Sequence, residues 1–164
     1  MKTLFFCRHA KSDWSTSLPD HERPLNDRGH KSIPVMAKVW KDLGEVPTHW
    51  MSSSAERALR TAQLLSGQFE QAITLQVDHQ LYHADVKDWM KIINDLPAEY
   101  SAISLFGHNP GITDVVNYLS NSAIDNIPTC GLAKVNFEIP EWRLVSNGIG
   151  TLEWFEYPKK HHQF

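Results

Sequence analysis

Short apolar runs alternate along this chain with stretches in which apolar residues recur at helical spacing. Thr3–Cys7 (TLFFC) is an unbroken apolar run, suited to a buried strand, and it stops abruptly at Arg8-His9. Ser12–Arg28 is polar, carries Pro19 and Pro24, and reads as a loop. From Asp27 the positions Ile33, Met36, Ala37 and Trp40 predict a helix stopped by Gly44, with Pro34 as its one irregular residue. His49–Ser52 predicts a second strand. The serines after it cap a helix whose apolar face is Ala58, Leu59, Ala62 and Leu65, closing near Gly67.

Ile73–Val77 predicts a third strand, and Val86–Leu96 a helix with Trp89, Ile92, Ile93 and Leu96 on one face, ended by Pro97. Ala102–Phe106 predicts a fourth strand that runs into Gly107-His108-Asn109-Pro110-Gly111. A helix over Pro110–Leu119 follows, with proline at a tolerated first-turn position. Leu132–Ile139 and Thr151–Tyr157 read as two late strands. This alternation predicts an α/β fold, a three-layer sandwich around a largely parallel central sheet. At 164 residues, with no interior linker, the expectation is one domain over residues 1–164.

Composition narrows the function classes. Hydrophobic residues make up 41% and charged residues 21%, as in ordinary globular chains, and neither repeats nor low-complexity tracts are visible. Cys7 and Cys130 do not make a disulfide framework, and the first apolar run is too short for a signal peptide. No stretch approaches the ~20 apolar residues of a membrane span, so the expectation is a cytoplasmic protein without a membrane partner. A net charge of -3 argues against general nucleic-acid affinity and makes local basic clusters informative: Arg8 with Lys11, Arg23 with Arg28, Arg57 with Arg60.

In open α/β sheets the site lies beyond the carboxyl ends of the strands. Arg8-His9 closes the first strand, Ser53–Arg57 follows the second and Gly107-His108 closes the fourth, so three distant segments can converge at one edge. Their chemistry suits a phosphoryl group, whose transfer depends on positioning and on clamping charge over its equatorial oxygens. Arg8 and Arg57 offer bidentate guanidinium forks. His9 can attack phosphorus only as the neutral ring, a form that nearby arginines favour. His108 precedes a helix start, where free N–H groups favour an anion. Lys11, Ser12, Ser15 and Arg23 lie on the loop that can close over the site.

Leu4–Ser12 (LFFCRHAKS) resembles the signature strand and Arg-His motif of the histidine phosphatase superfamily, to which phosphoglycerate mutases also belong. The family's Arg-His-Gly stands here as Arg8-His9-Ala10. Ser53–Ala62 (SSAERALRTA) resembles its Ser-x-x-x-Arg-Ala-x-x-Thr-Ala segment, and Gly107-His108-Asn109-Pro110 its second-histidine motif. The short length and Arg23-Pro24-Leu25 followed by Gly29 look most like the SixA-type phosphohistidine phosphatases. The resemblance implies a phosphoglycerate-mutase-like fold, His9 as nucleophile, and Arg8, Arg57 and His108 as the phosphate pocket. Arg23 and Ser15 are further substrate-binding candidates.

Larger members of the superfamily supply a carboxylate general acid. Here Asn109 follows His108, which leaves Asp85 and His83 as the candidate acids. A phosphoramidate expels imidazole, a better leaving group than an alkoxide, so phosphohistidine on a phosphotransfer or signalling protein is the expected substrate. Small phosphate esters or phosphosugars by the same mechanism are the alternative, and a non-catalytic phosphate-recognition module is the alternative of another class. No cofactor is expected. His79 and His83 lack the glutamate of a zincin pair, so no metal site is expected either. Neither Cys7 nor Cys130 has an arginine six positions on, against a Cys-x5-Arg phosphatase, and no P-loop pattern is present. Arg60 reads as a solvated helix-face residue.

Overall fold

The computed structural model describes residues 1–162. Its elements in chain order are β1 (Lys2–Arg8), α1 (Asp27–Leu43), β2 (His49–Ser52), α2 (Glu56–Ser66), β3 (Thr74–Val77), α3 (Val86–Asn94), β4 (Ala102–Gly107), α4 (Gly111–Ser120), β5 (Leu132–Phe137) and β6 (Gly150–Glu156). They form one six-stranded sheet in the order β3-β2-β4-β1-β5-β6. β1, β2, β3 and β4 pair in parallel, whereas β5 runs antiparallel to both β1 and β6.

The unbroken apolar run of β1 follows from coverage of the sheet on both faces. Leu4 and Phe6 pack on one side with Trp89, Ile93, Val115 and Val116 of α3 and α4. Phe5 and Cys7 pack on the other with Met36, Trp40 and Leu65 of α1 and α2. Each such large side chain, fully buried, contributes roughly 1.5–3 kcal/mol. The result is the three-layer α/β sandwich that the pattern of strands and helices predicts. Among the described residues no helix is long and apolar enough to cross a membrane.

α1 runs through Pro34 without ending. The hydrogen bond that proline cannot donate is outweighed by the buried stripe Ile33, Met36, Ala37 and Trp40. Asn26 caps the helix by accepting from Gly29 N–H, and Gly44 closes it with φ 106°, a conformation that favours glycine. Two sequence expectations shift. α2 has Ala55 at its N-cap, with no side-chain cap on the helix itself: Ser53 Oγ accepts from Ala55 N–H at 3.2 Å, and the Ser52 and Ser54 hydroxyls bond to Ser53 O and His79. α4 begins at Gly111 rather than Pro110, which follows a cis peptide bond.

The topology fixes where a site can form. The connection from β1 leads to β2, past β4, while the connection from β4 leads to β5, past β1. The neighbouring strands β1 and β4 therefore send their chains in opposite directions. Their carboxyl ends open the crevice in which α/β sheets bind ligands.

Candidate active site

Arg8 pairs with Gly107 at the last register position of the β1–β4 ladder, and His9 N–H donates to Gly107 O at 3.2 Å. His9 and His108 thus emerge side by side one residue beyond the ladder, with ring centroids 5.1 Å apart. Both side chains are buried. The Ala10 N–H donates to Thr61 Oγ1 of α2 at 2.9 Å, which seats the chain after His9 against that helix.

The His9 ring is oriented by one short contact: Nδ1 lies 2.7 Å from the carbonyl oxygen of Ala10. A carbonyl only accepts, so Nδ1 carries the proton and Nε2 is left with a free lone pair. Burial lowers the His9 pKa to about 3, and the charges of Arg57, Arg8 and Arg23 act in the same direction against the Ala10 hydrogen bond. His108 is held to about 2, by burial first and then by His9, Arg57 and His83, with Asp20 opposing. In the free protein both rings are therefore neutral at neutral pH, and His108 becomes a charged donor only once an anion compensates. Its Nε2 sits 2.8 Å from Ser53 Oγ, which also accepts from Ala55 N–H, so the turn before α2 orients this ring.

Arg8 reaches the same edge from β1, where Nη1 donates to Ile127 O at 2.9 Å. Burial and the charge of Arg57 both lower its pKa. Arg57 arrives from the first turn of α2. Arg8 Nε, Arg57 Nε and His108 Nδ1 are buried polar atoms with no hydrogen-bond partner. Native interiors rarely leave such groups unpaired, so their convergence beside His9 marks a place built for a polar ligand.

Asp20, which sequence reasoning did not single out, organises the arginines. Its Oδ2 accepts from Arg57 Nη2 at 3.1 Å and from the Tyr82 hydroxyl at 2.6 Å. Its Oδ1 accepts from Arg23 Nε at 3.3 Å and Nη2 at 3.1 Å, and its backbone oxygen takes Arg57 Nη1 at 2.8 Å. The Tyr82 hydrogen bond, followed by the Arg57 charge and the arginine hydrogen bonds, holds this carboxyl far below the usual range. Asp20 is thus a planar anion seated on two guanidinium forks, and it holds no proton to donate. The spacing Asp20-x-x-Arg23 was the one signal in the sequence that could have found it.

Arg23 is buried at the site. Its guanidinium lies 3.6 Å from the Trp14 ring centroid, and Nη1 donates to Ser12 Oγ. The other candidates stand apart. Ser15 is tied through its hydroxyl to Asp13 Oδ1 at 2.6 Å, and no contact joins it to His9. Asp85 caps α3, accepting from Asp88 N–H at 2.9 Å in a reciprocal capping box. That hydrogen bond keeps its carboxyl below the usual range, so it too is ionised. His83 is at the rim, where it packs on Tyr82 at 3.8 Å, and Tyr82 meets His108 edge-on at 5.7 Å. Among the described residues no group of three or more His, Cys, Asp or Glu is arranged to hold a metal ion.

The depressed histidines have a consequence for stability. A group whose folded pKa lies below its unfolded value, about 6.5 for histidine, binds fewer protons folded than unfolded. Stability is then full above about 6.5 and falls as pH drops towards about 3, by at most about 1.4 kcal/mol per pH unit for each ring. The melting temperature should decline from about pH 7 to about pH 5, and His9→Gln should flatten that decline. An unchanged slope in the variant would show that His9 is not held neutral by the fold.

Solved structures share this architecture over most of its length. A SixA protein of Agrobacterium tumefaciens superposes with a TM-score of 0.80 at 23% identity, covering 96% of this chain and 98% of that one. The protein histidine phosphatase SixA complexed with tungstate gives 0.81 at 20% identity, with the same coverage. A mycobacterial glucosyl-3-phosphoglycerate phosphatase gives 0.71 at 13% identity, covering 93% of this chain and 97% of its own. An uncharacterized chloroplastic protein of Arabidopsis thaliana is 28% identical over 142 residues, 80% of this chain, and this chain spans 65% of that protein's length. The sequence itself matches the histidine phosphatase superfamily (branch 1) over residues 4–113, a stretch that holds both histidines and all three site arginines. The chain belongs to that superfamily.

Proposed function

We propose that the protein is a phosphohistidine phosphatase that works without a metal ion, through a covalent phosphohistidine on His9. The observation that carries this reading is the His9 ring itself. It is neutral, held by Ala10 O at Nδ1, and its Nε2 lone pair is free among buried guanidinium groups. In the first step Nε2 attacks phosphorus, the P–N bond of the substrate phosphohistidine breaks, and the leaving imidazole takes the electron pair. In the second, water attacks the phosphoryl group on His9, the P–Nε2 bond breaks with its electron pair returning to neutral His9, and the proton from water passes to a phosphoryl oxygen to give inorganic phosphate. Arg8, Arg23, Arg57 and His108 share the charge on the equatorial oxygens in both steps.

The substrate class follows from the carboxylates. An alkoxide must be protonated as it leaves, and a positioned acid is worth roughly 10²–10⁴. Asp20 is ionised by its clamp, and Asp85 is ionised and spent on a helix cap. An imidazole that already carries its proton needs neither. One SixA protein that shares the fold is described as a phosphohistidine phosphatase and another as a protein histidine phosphatase, which supports the same reading. The second reading keeps the mechanism but takes a small phosphate ester. It is favoured by the open aromatic rim of Tyr82 and His83 and by the glucosyl-3-phosphoglycerate phosphatase that shares the fold.

The test is a ranking of kcat/KM on purified protein in the presence of EDTA. Phosphohistidine should come first, then an aryl phosphate such as p-nitrophenyl phosphate, then a simple alkyl phosphate. An alkyl phosphate in first place, lost selectively in Asp85→Asn, would make Asp85 the acid and the protein a phosphomonoesterase. A chelation-sensitive rate restored by one divalent ion would refute the metal-free mechanism.

A further inference from the structure

Beside the phosphoryl pocket, and sharing Arg8 with it, lies a second concavity of about 730 Å³. Its cationic lining comes from four segments: Arg8 at the end of β1, Lys11 on the loop after it, Arg28 in the first turn of α1, and Lys159 in the 3-10 turn Pro158–Lys160. Tyr157 and Pro158 give it an apolar wall. Among the described residues no aspartate or glutamate lines it. In a chain of net charge -3, Arg8, Lys11 and Lys159 drawn together from three segments, with Arg28 beside them, give this groove a positive field.

The backbone that carries these cations is fixed. Asn26 N–H donates to Lys11 O at 3.0 Å, and a Cβ at Gly29 would lie 2.2 Å from that same oxygen. Only glycine at position 29 lets the start of α1 approach the Lys11 backbone so closely. Arg8 is anchored to Ile127 O, and the turn that bears Lys159 is seated by the buried Pro158. Among the described residues, the ammonium groups of Lys11 and Lys159 make no hydrogen bond or ion pair, in contrast to Lys134 on Glu45 and Lys160 on Glu156.

We infer that this groove binds an acidic stretch of the polypeptide whose phosphoryl group is delivered to His9. A phosphate ion would fill only a small part of the volume, whereas several carboxylates spread along a chain match cations spread over four segments. Lysines, as hydrated point charges on flexible stems, suit carboxylates of variable position better than one bidentate anion. The aromatic and proline wall gives the intervening peptide an apolar surface. Arg8 links the two sites, so a substrate seated in the groove has its phosphoryl group led to the nucleophile. The inference deepens the phosphohistidine-protein reading and rests on it for the identity of the substrate.

Direct binding separates the two. An unphosphorylated oligoglutamate peptide, titrated into the protein by calorimetry, should bind at low salt and weaken steeply as salt rises, because the field is screened. An oligoglutamine peptide of the same length should not bind. Lys159→Glu should weaken the oligoglutamate peptide by tenfold or more and leave turnover of p-nitrophenyl phosphate unchanged. Among phosphohistidine peptides, glutamate-flanked ones should exceed glutamine-flanked ones in kcat/KM, and Lys159→Glu should erase that preference. Equal binding of the two unphosphorylated peptides, or no effect of Lys159→Glu on the acidic one, overturns the groove. A Lys159→Glu protein that instead loses a sugar bisphosphate substrate selectively also overturns it, in favour of a second small-molecule phosphate. Binding of oligoglutamate without turnover of any phosphohistidine peptide would refute the proposed substrate and leave the groove standing.

Discussion

His9→Ala protein mixed with a radiolabelled phosphorylated substrate should acquire no acid-labile label and show no turnover above background. The expected loss is on the order of 10⁶, the scale seen when a covalent enzyme loses its nucleophile. No other ring can take over the attack. His108 presents Nε2 to Ser53 Oγ and keeps Nδ1 buried, and among the described residues it is the one imidazole in ring contact with His9, while His83 packs on Tyr82 at the rim. The variant should fold, because it removes a buried ring whose charged form burial disfavours, and position 9 does not adopt the left-handed backbone that would strain an alanine. Its melting temperature below about pH 6 should therefore rise relative to wild type, since unfolding no longer gains a proton at that position. His9→Gln serves as the control for packing: it keeps a donor near Ala10 O and still lacks the nucleophilic nitrogen. A His9→Ala protein that turns over at the wild-type rate sinks the covalent mechanism outright.

Much of the scaffold was legible because its physics is local. Thr3–Cys7 and Ala102–Phe106 are unbroken apolar runs because helices cover both faces of the strands they form, and their ends carry His9 and His108. The stripe Ile33, Met36, Ala37 and Trp40 was strong enough to carry α1 through Pro34. Strand order was beyond reach: nothing in the pattern of Leu132–Phe137 says that this strand lies antiparallel to β1, because pairing partners are chosen by tertiary packing. Serine before a helix pattern predicts a cap, yet Ser53 faces His108, a partner 55 residues away. Asp20 was illegible for a related reason. It sits in a proline-punctuated loop with no periodicity, and its meaning comes from Arg57 and Tyr82, which are distant in sequence. Asp85 and Ser15 show the converse, since their partners Asp88 and Asp13 lie within three residues and local bonding claims them.

Arg57→Ala should leave the nucleophile in place and cost the rate about 10²–10³, the usual consequence of removing one preorganised donor from a developing charge. Both Nη atoms of Arg57 are engaged by Asp20 in the free protein, a geometry that a phosphoryl group can take over. Lysine cannot reproduce a two-pronged contact, so Arg57→Lys should recover only part of the loss. Two readouts separate the transition-state role from simple misfolding. The first is labelling: with saturating substrate the variant should still form the acid-labile phosphoenzyme, only more slowly, because His9 keeps its Ala10 hydrogen bond. The second is the pH profile. Arg57 is among the charges that lower the His9 pKa, after burial, and it acts on His108 in the same sense. Its removal therefore raises both, and His9 must lose its proton to attack, so the acid limb of kcat/KM, which reports the free enzyme, should move to higher pH. Asp20→Ala in the Arg57→Ala background should then add less than it costs alone, since the carboxylate acts chiefly by holding that guanidinium. An acid limb that stays in place, with full additivity of the two substitutions, would mean that Arg57 and Asp20 act on the reaction separately and that the clamp described by their hydrogen bonds has no part in it.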